Sequence, residues 1–371
     1  RIKQRFHKPV IFGGPFMRLC DKHYPDANMF NFIDYRITGD GTVPLLKLIH
    51  YLEGKIPIDE VPNLRHRNNG NVTDNHYVEY SFEDAPIPDF TDFPLKLYMD
   101  VYELNPFLQD VLLPYQVMRG CAKRCSFCYV SAINKKLEFK SYDKVITELI
   151  QMKGKYHSPR FEFADQAINN SYGYLEGLCD AFINKRLDIT WIAYAKIGDL
   201  DKHILRKMKK AGCWLLKFGV ESGSNRILKM MNKGFTSEKA SEVFRWVSEA
   251  GIRSMVSLIA GYPYETQEDI NQTLSFIHKN KKYFYSVRVT AYALTYGSDM
   301  YEHPDQYGIT NLSLSQRYAI NFNFDESSGL NWAEKKKQQV RSKKQIIKAI
   351  RAAQFFQLLG ISLLIRVKSI I

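Results

Sequence analysis

The sequence has no run of eighteen consecutive apolar residues, so no spanning helix is expected. No signal-peptide pattern stands at its start, and no internal repeat appears beyond an alternating strand–helix unit. Cysteine is sparse. Of six, Cys20, Cys179 and Cys213 stand alone, which does not fit a secreted disulfide framework. A reduced, cytoplasmic protein is the expectation, with these three as small buried residues. Acidic residues almost vanish from the last stretch. Residues 331–371 hold one Glu against ten Lys or Arg, a net +9 out of +13 for the chain. The pI of about 9.2 therefore reflects one segment and does not indicate a nucleic-acid-binding protein. That segment reads as helix. Residues 335–351 present a solvated basic face with Val340, Ile346, Ile347 and Ile350 on the other side, and 355–371 are mostly apolar. With 45% hydrophobic and 25% charged residues, a disordered or fibrous chain is excluded. Residue 1 is Arg and the chain opens in mid-pattern, so a preceding segment is expected.

Four regions are expected. Residues 1–55 hold two apolar strands (8–12 and 32–37), each followed by glycines, then a helix over 43–52. Residues 56–113 are rich in Pro, Asn, Asp and Gly and read as an extended connector with a hairpin at Asn69-Gly70. Residues 114–302 alternate regularly. Strands are expected at 115–119, 160–164, 190–196, 214–220, 253–260 and 286–294, and helices at 142–155, 173–185, 202–211, 237–250 and 268–282. Six parallel strands with crossover helices fall short of a closed eight-fold barrel, so an open (β/α)6 barrel with ligands at the strands' C-terminal ends is expected. Residues 303–371 are read as a mostly helical extension.

The strongest local signal is Arg119-Gly120-Cys121-Ala-Lys-Arg-Cys125-Ser-Phe-Cys128, directly after the first barrel strand. Structural zinc sites usually need four ligands, often two separated Cys pairs. Here no second pair exists. Three thiolates in one short loop suit a [4Fe–4S] cluster with one iron open to a substrate or cosubstrate. A zinc loop with a distant fourth ligand is the alternative.

The loop, with its aromatic Phe127, resembles the signature of the radical S-adenosylmethionine (SAM) superfamily. Further segments match in order over 115–301. Asp165 ends the second strand. Residues 191–199 resemble the third-strand motif, with Lys196 where an Arg is usual. Gly219-Val220-Glu221-Ser222-Gly223 resembles the fourth-strand segment, and Gly261-Tyr-Pro-Tyr-Glu-Thr266 the turn after strand five. Tyr296 stands where the segment after strand six usually has Pro. The resemblance implies that Cys121, Cys125 and Cys128 hold the cluster. It also implies that SAM lies against Phe127, Asp165, Lys196, Glu221, Ser222 and Gly261, with Asp165 near the methionine amino group and Lys196 near the carboxylate. One electron from the cluster would cleave SAM to a 5′-deoxyadenosyl radical, which abstracts hydrogen from the substrate. An electron donor such as flavodoxin or ferredoxin is implied. From the residues alone, Asp165 could equally be a helix cap and Lys196 a barrel-edge lysine; for Glu221 a capping or ion-paired side chain is the alternative to the favoured functional role.

Gly13-Gly14 after the first strand, and Tyr35-Arg-Ile-Thr-Gly39-Asp40-Gly41 after the second, resemble the end of a cobalamin-binding domain of Rossmann-like α/β type. Asp84-Ala-Pro86-Ile-Pro88-Asp89 in the connector fits the same class. The D-x-H-x-x-G segment that supplies an axial His in that class is not present. The resemblance implies a cobalamin-dependent radical SAM enzyme, with methyl transfer to an unactivated carbon as the favoured reaction and a small-molecule or peptide substrate. A cobalamin-independent oxidoreductase or methylthiotransferase is one alternative, and a non-enzymatic, metal-stabilised binding protein is another.

Overall fold

A computed structural model of the 371-residue chain describes residues 2–14, 17, 30–95, 111–130, 136–315 and 320–368, with side chains described to 352. The expectation for Cys20 lies outside the described residues, as do the side chains of 355–371. The chain forms two compact units, one of Arg1–Pro86 with Arg317–Ile320, the other of Ile87–Gln316 with Asn321–Ile371.

In the first unit a short helix α1 (Ile2–Phe6) precedes strand β1 (Ile11–Phe12), which pairs in parallel with β2 (Tyr35–Ile37). Helix α2 (Thr42–Leu52) follows. Strands β3 (Leu64–Asn68) and β4 (Asn71–Asp74) form the hairpin read from Asn69-Gly70, and both of these central residues have positive φ. This hairpin does not stand apart as a connector element. It adds antiparallel to β2 and completes a four-stranded sheet in the order β1-β2-β3-β4. Because β1 and β2 are parallel, the glycine turns after both strands lie at the same end of the sheet.

The second unit contains a six-stranded sheet in the order β12-β11-β10-β9-β8-β5, every neighbouring pair parallel. Its strands are β5 (Leu113–Tyr115), β8 (Arg160–Phe163), β9 (Thr190–Ala195), β10 (Cys213–Glu221), β11 (Arg253–Ala260) and β12 (Phe284–Ala291). The order is open at both ends, as expected from six units. Helices α3 (Tyr142–Tyr156), α4 (Tyr172–Asn184), α5 (Lys202–Lys210), α7 (Ser237–Glu249) and α8 (Gln267–Asn280) connect successive strands. Each begins with an oxygen side chain accepting from a backbone N–H: Ser141, Ser171, Asp201, Thr236 and Thr266. Strand β11 buries every second residue, and its buried face joins the apolar faces of the helices in one core that also takes in Cys179 and Cys213.

Three features extend this barrel. Strands β6 (Met118–Arg119) and β7 (Glu138–Phe139) pair antiparallel and close the base of the cysteine loop. A short helix α6 (Asn225–Met230) follows β10. After β12 come β13 (Leu294–Thr295), helix α9 (Asp299–Glu302), β14 (Ile309–Leu314) and β15 (Asn321–Glu326). The three strands form an antiparallel sheet absent from the sequence reading. Helix α10 (Trp332–Lys368) ends the described chain. Its Ile346 and Ile350 enter the barrel core, but Val340 is half exposed and Lys335 is fully buried, contrary to the wheel read from sequence.

Candidate functional site

The loop after β6 starts at Gly120. Its φ is +90°, and a Cβ there would stand 2.2 Å from the Lys136 carbonyl oxygen, so no side chain fits. The loop is then tied to the ends of several strands. Asn170, after β8, accepts from Ala122 N (3.3 Å) and donates to the Gly120 carbonyl (3.1 Å). Asn232, after α6, donates to the Arg124 carbonyl (2.8 Å). Ser126 is buried. Its N donates to the Met231 carbonyl (3.1 Å), its Oγ donates to the Met230 carbonyl (3.1 Å), and its Oγ lies 2.9 Å from Tyr262 Oη. Met300 N donates to the Ser126 carbonyl (2.9 Å).

Cys121, Cys125 and Cys128 carry thiols of intermediate exposure on this loop, none of them in a disulfide. Burial pushes the Cys125 and Cys128 thiols up, and neighbouring cysteines add to this, while the Lys233 ammonium opposes it. Among the described residues no three His, Cys, Asp or Glu side chains converge at metal-coordination spacing. The fit to a cluster therefore rests on the donor set: three soft ligands, none in a disulfide, near neighbours on a loop whose backbone is held from several sides.

The rim residues fall into two groups. Glu221 and Lys196 keep their charged groups near the strand ends. Glu221 has φ +73° at a register shift between Gly219 and itself, and its carboxylate folds back over Gly219, where a Cβ would meet Glu221 Oε1 at 2.4 Å. Burial raises its pKa against Lys233, whose Nζ lies 3.5 Å away. The same Nζ stands 5.7 Å from the Phe127 ring centroid, so Lys233 links Glu221 to the cysteine loop. Lys196 pairs loosely with Asp199 (3.5 Å), and its N donates to Asn169 Oδ1 (2.8 Å).

The second group is turned inward. Asp165 is fully buried, and Oδ1 accepts from Val117 N (3.0 Å) and Met118 N (2.7 Å), fixing the strand that leads into the loop. Oδ2 has no partner, and burial raises the carboxyl to about 7. Asp165 is not a helix cap, since Ser171 caps the next helix. Ser222 accepts from Ser224 N (3.1 Å) and lies 3.3 Å from Thr273 Oγ1. A Cβ on Gly261 would meet Gln339 Cγ of α10 at 2.2 Å, and Gly261 N donates to Glu265 Oε2 (2.7 Å). Burial raises Glu265 to about 7.

Sequence reasoning missed the brace behind this turn. Lys335 Nζ donates to the Tyr262 carbonyl (2.7 Å) and pairs with Glu326 (2.8 Å), both side chains buried. Glu326 in turn accepts from Tyr264 N (2.7 Å) and Leu330 N (3.0 Å). Burial lowers the Lys335 pKa and Glu326 opposes this. Ser126, Asn170, Lys233 and Tyr262 were missed too, because each acts through a partner more than thirty residues away in sequence.

In the first unit, Gly13 and Gly14 follow β1. Gly14 has φ +89°, and among the described residues nothing stands within 4 Å of a Cβ placed there. Gly39 has φ +77° and packs on Tyr77, and Thr42 N donates to Asp40 Oδ1 (3.0 Å). Both glycine turns thus lie at one end of the sheet, where a parallel α/β sheet admits ligands.

Comparison with known proteins agrees with the geometry. The "Uncharacterized methyltransferase PH0819" of Pyrococcus horikoshii is 26% identical over 275 residues, 73% of this chain and 58% of that protein. A tRNA-2-methylthio-N(6)-dimethylallyladenosine synthase of Buchnera aphidicola is 28% identical over 176 residues, 44% of this chain and 40% of its own length. The chain thus spans little more than half of PH0819 and less of the synthase. Among solved structures, the radical SAM methyltransferase TsrM from Kitasatospora setae, with cobalamin and a [4Fe–4S] cluster bound, superposes with a TM-score of 0.66 at 17% identity, over 92% of this chain and 72% of that one. At that identity the likeness establishes the fold: an open radical SAM barrel with a partial Rossmann-like unit before it. The profile of the Radical SAM superfamily matches residues 115–277, so the chain carries a radical SAM domain.

Proposed function

We propose that this protein cleaves SAM reductively and, with cobalamin, transfers a methyl group to an unactivated carbon of a small-molecule or peptide substrate in the cytoplasm. The observation that carries the reading is the three-thiol loop, braced by residues that follow β8, β10 and β11. When bound, a [4Fe–4S] cluster supplies the electron for SAM cleavage, and cobalamin supplies a methyl carrier.

The chain's own residues bind and position. Cys121, Cys125 and Cys128 would ligate three irons as thiolates, with Lys233 and Lys123 favouring the charged form of Cys125. Phe127 would shield the loop from water. Glu221, held by Lys233, would face the ribose or amino end of SAM, and Lys196 its carboxylate. Asp165 would act through the Val117 and Met118 amides that its Oδ1 holds, and Ser222 and Gly261 through the backbone they shape, their polar groups being engaged within the protein. Gly13 and Gly14 would admit the cobalamin nucleotide tail along bare backbone.

The test uses protein purified without oxygen, reconstituted with iron and sulfide, then given SAM and dithionite. 5′-Deoxyadenosine is expected, and Cys125→Ala is expected to abolish both it and the cluster absorbance. Zinc in place of iron in the parent would overturn the reading. The likeness to the methylthio-forming synthase favours a second reading, a cobalamin-independent radical SAM enzyme. Failure to bind cobalamin, with 5′-deoxyadenosine still formed, would select it.

A further inference from the structure

The helices cover one face of the six-stranded sheet. On β10, β11 and β12 that face carries Phe218, Val256 and Leu258, all buried, with Val287 and Val289 packed on the same core. The opposite face carries Lys217, Gly219, Met255, Ser257 and Ser286, each partly accessible, and Arg288, which is exposed. Parallel sheets are normally covered on both faces, so a half-open one has room for an occupant.

Register sets the polar groups of this face in a line. Gly219 stands opposite Ser257, and Ser257 opposite Arg288, a span of about 10 Å along the sheet. Ser286 lies two residues before Arg288 and so shares its face. Strands β11 and β12 contain no Asp or Glu. Neither Arg288 nor the Ser257 and Ser286 hydroxyls has a hydrogen-bond or ion-pair partner among the described residues. The other cation of this face is satisfied: Lys217 pairs with Glu162 on β8, and its Nζ lies 5.0 Å from the Tyr194 ring centroid. At the β10 end of the line the charge reverses, since the Glu221 carboxylate folds over Gly219. The line is thus polarised, with a carboxylate at one end and an unanswered guanidinium beside two hydroxyls at the other.

We infer that Arg288, with Ser257 and Ser286, binds an oxyanion of the substrate, a carboxylate or a phosphoryl group, and so fixes which way round the substrate lies. The inference deepens the radical SAM reading and rests on it, since the anion is taken to belong to the methyl acceptor. A guanidinium makes two parallel hydrogen bonds to such a group, and the hydroxyls donate to its remaining lone pairs. Glu221 repels the same group from the other end of the line. A substrate with its anion at β12 therefore turns its uncharged part toward β10. An uncharged analogue would leave Arg288 unanswered and be selected against.

Inorganic phosphate and malonate are the probes, titrated by calorimetry into the reconstituted full chain. Saturable binding is expected, and the tighter of the two identifies the oxyanion class. Arg288→Ala is expected to weaken it about tenfold. Arg288→Lys keeps the charge but not the fork and is expected to weaken it about threefold. Arg245→Gln, on the exposed side of α7, is expected to bind like the parent. In the parent, phenylglyoxal labelling of Arg288, located by mass spectrometry, is expected to slow several-fold in the presence of the better anion, a readout that needs no variant to fold. No saturable binding by the parent, equal binding by the parent and Arg288→Ala, or undiminished labelling overturns the inference and leaves Arg288 as a charge on an edge strand. The titration does not depend on SAM cleavage. Absence of 5′-deoxyadenosine from the parent would overturn the radical SAM reading, whereas failed anion binding with 5′-deoxyadenosine still formed would overturn this inference alone.

Discussion

The barrel and the N-terminal unit bury themselves to very different degrees. The barrel core runs without interruption from Leu113 through the sheet and its helices to Ile350. Among the described residues of the N-terminal unit, Ile37, Leu48, Val61 and Leu64 form one cluster and Met17, Phe30, Ile33 and Phe82 are also buried, while α2 leaves Leu45, Leu46, Ile49 and Leu52 between 41% and 53% exposed. The difference teaches where shape is self-sustaining. The thiol loop sits on a scaffold that is stable through its own packing, whereas the glycine turns sit on a unit whose helix α2 keeps an apolar face half exposed.

Substitutions sharpen this contrast, the largest first. Phe163 lies in the barrel core, stacked on Trp191 at 5.1 Å. Phe163→Ala should destabilise the barrel by about 3–5 kcal/mol, read by chemical denaturation of the metal-free protein. Leu48→Ala should lower amide protection in the first unit and leave barrel amides protected in hydrogen exchange; equal loss in both would show that the packing of Leu48 is not local in its effect. Lys335→Met leaves Glu326 buried without its cation and should remove about 3 kcal/mol of barrel stability. Lys335→Met together with Glu326→Gln should recover part of it.

Next comes pH. Asp165 and Glu265 titrate near about 7 in the folded protein, against about 4 in an unfolded chain. Between those values the folded state holds protons that the unfolded state has released. Barrel stability should therefore fall as pH rises from about 4 to about 7 and level off above. Asp165→Asn keeps an oxygen for the Val117 and Met118 amides and should shallow that slope, measured by urea titration across pH. The smallest effect belongs to α2. Leu46→Gln removes an already exposed side chain and should change stability by less than about 0.5 kcal/mol.

The barrel was legible because its signals are local. Strand β11 was read to its exact ends, and the helices lie within a residue or two of expectation, since periodic burial and Ser, Thr or Asp caps mark them. The antiparallel sheet was not, because β14 buries only Ile309 and carries no alternation. Strand β15 does alternate, with Phe322, Phe324 and Glu326 buried, and that pattern was the available signal. Within the site, the thiols were legible from spacing. The roles of Ser126, Asn170, Lys233 and Tyr262 were not, since hydrogen bonds across 50 to 136 residues, as for Asn170 and Ser126, leave no periodic trace. Lys335 shows the limit of composition. Surrounded by exposed lysines, it is the one that Glu326 draws into the interior.

The brace from α10 to the thiol loop also imposes an order in time. The cysteines are written at 121–128, but Tyr262, which holds Ser126, belongs to a turn whose Tyr262 and Gly261 carbonyls accept from Lys335 and Gln339. During synthesis more than two hundred further residues must emerge before those bonds exist. A nascent barrel thus carries its thiols on an incompletely fastened loop until α10 has been made.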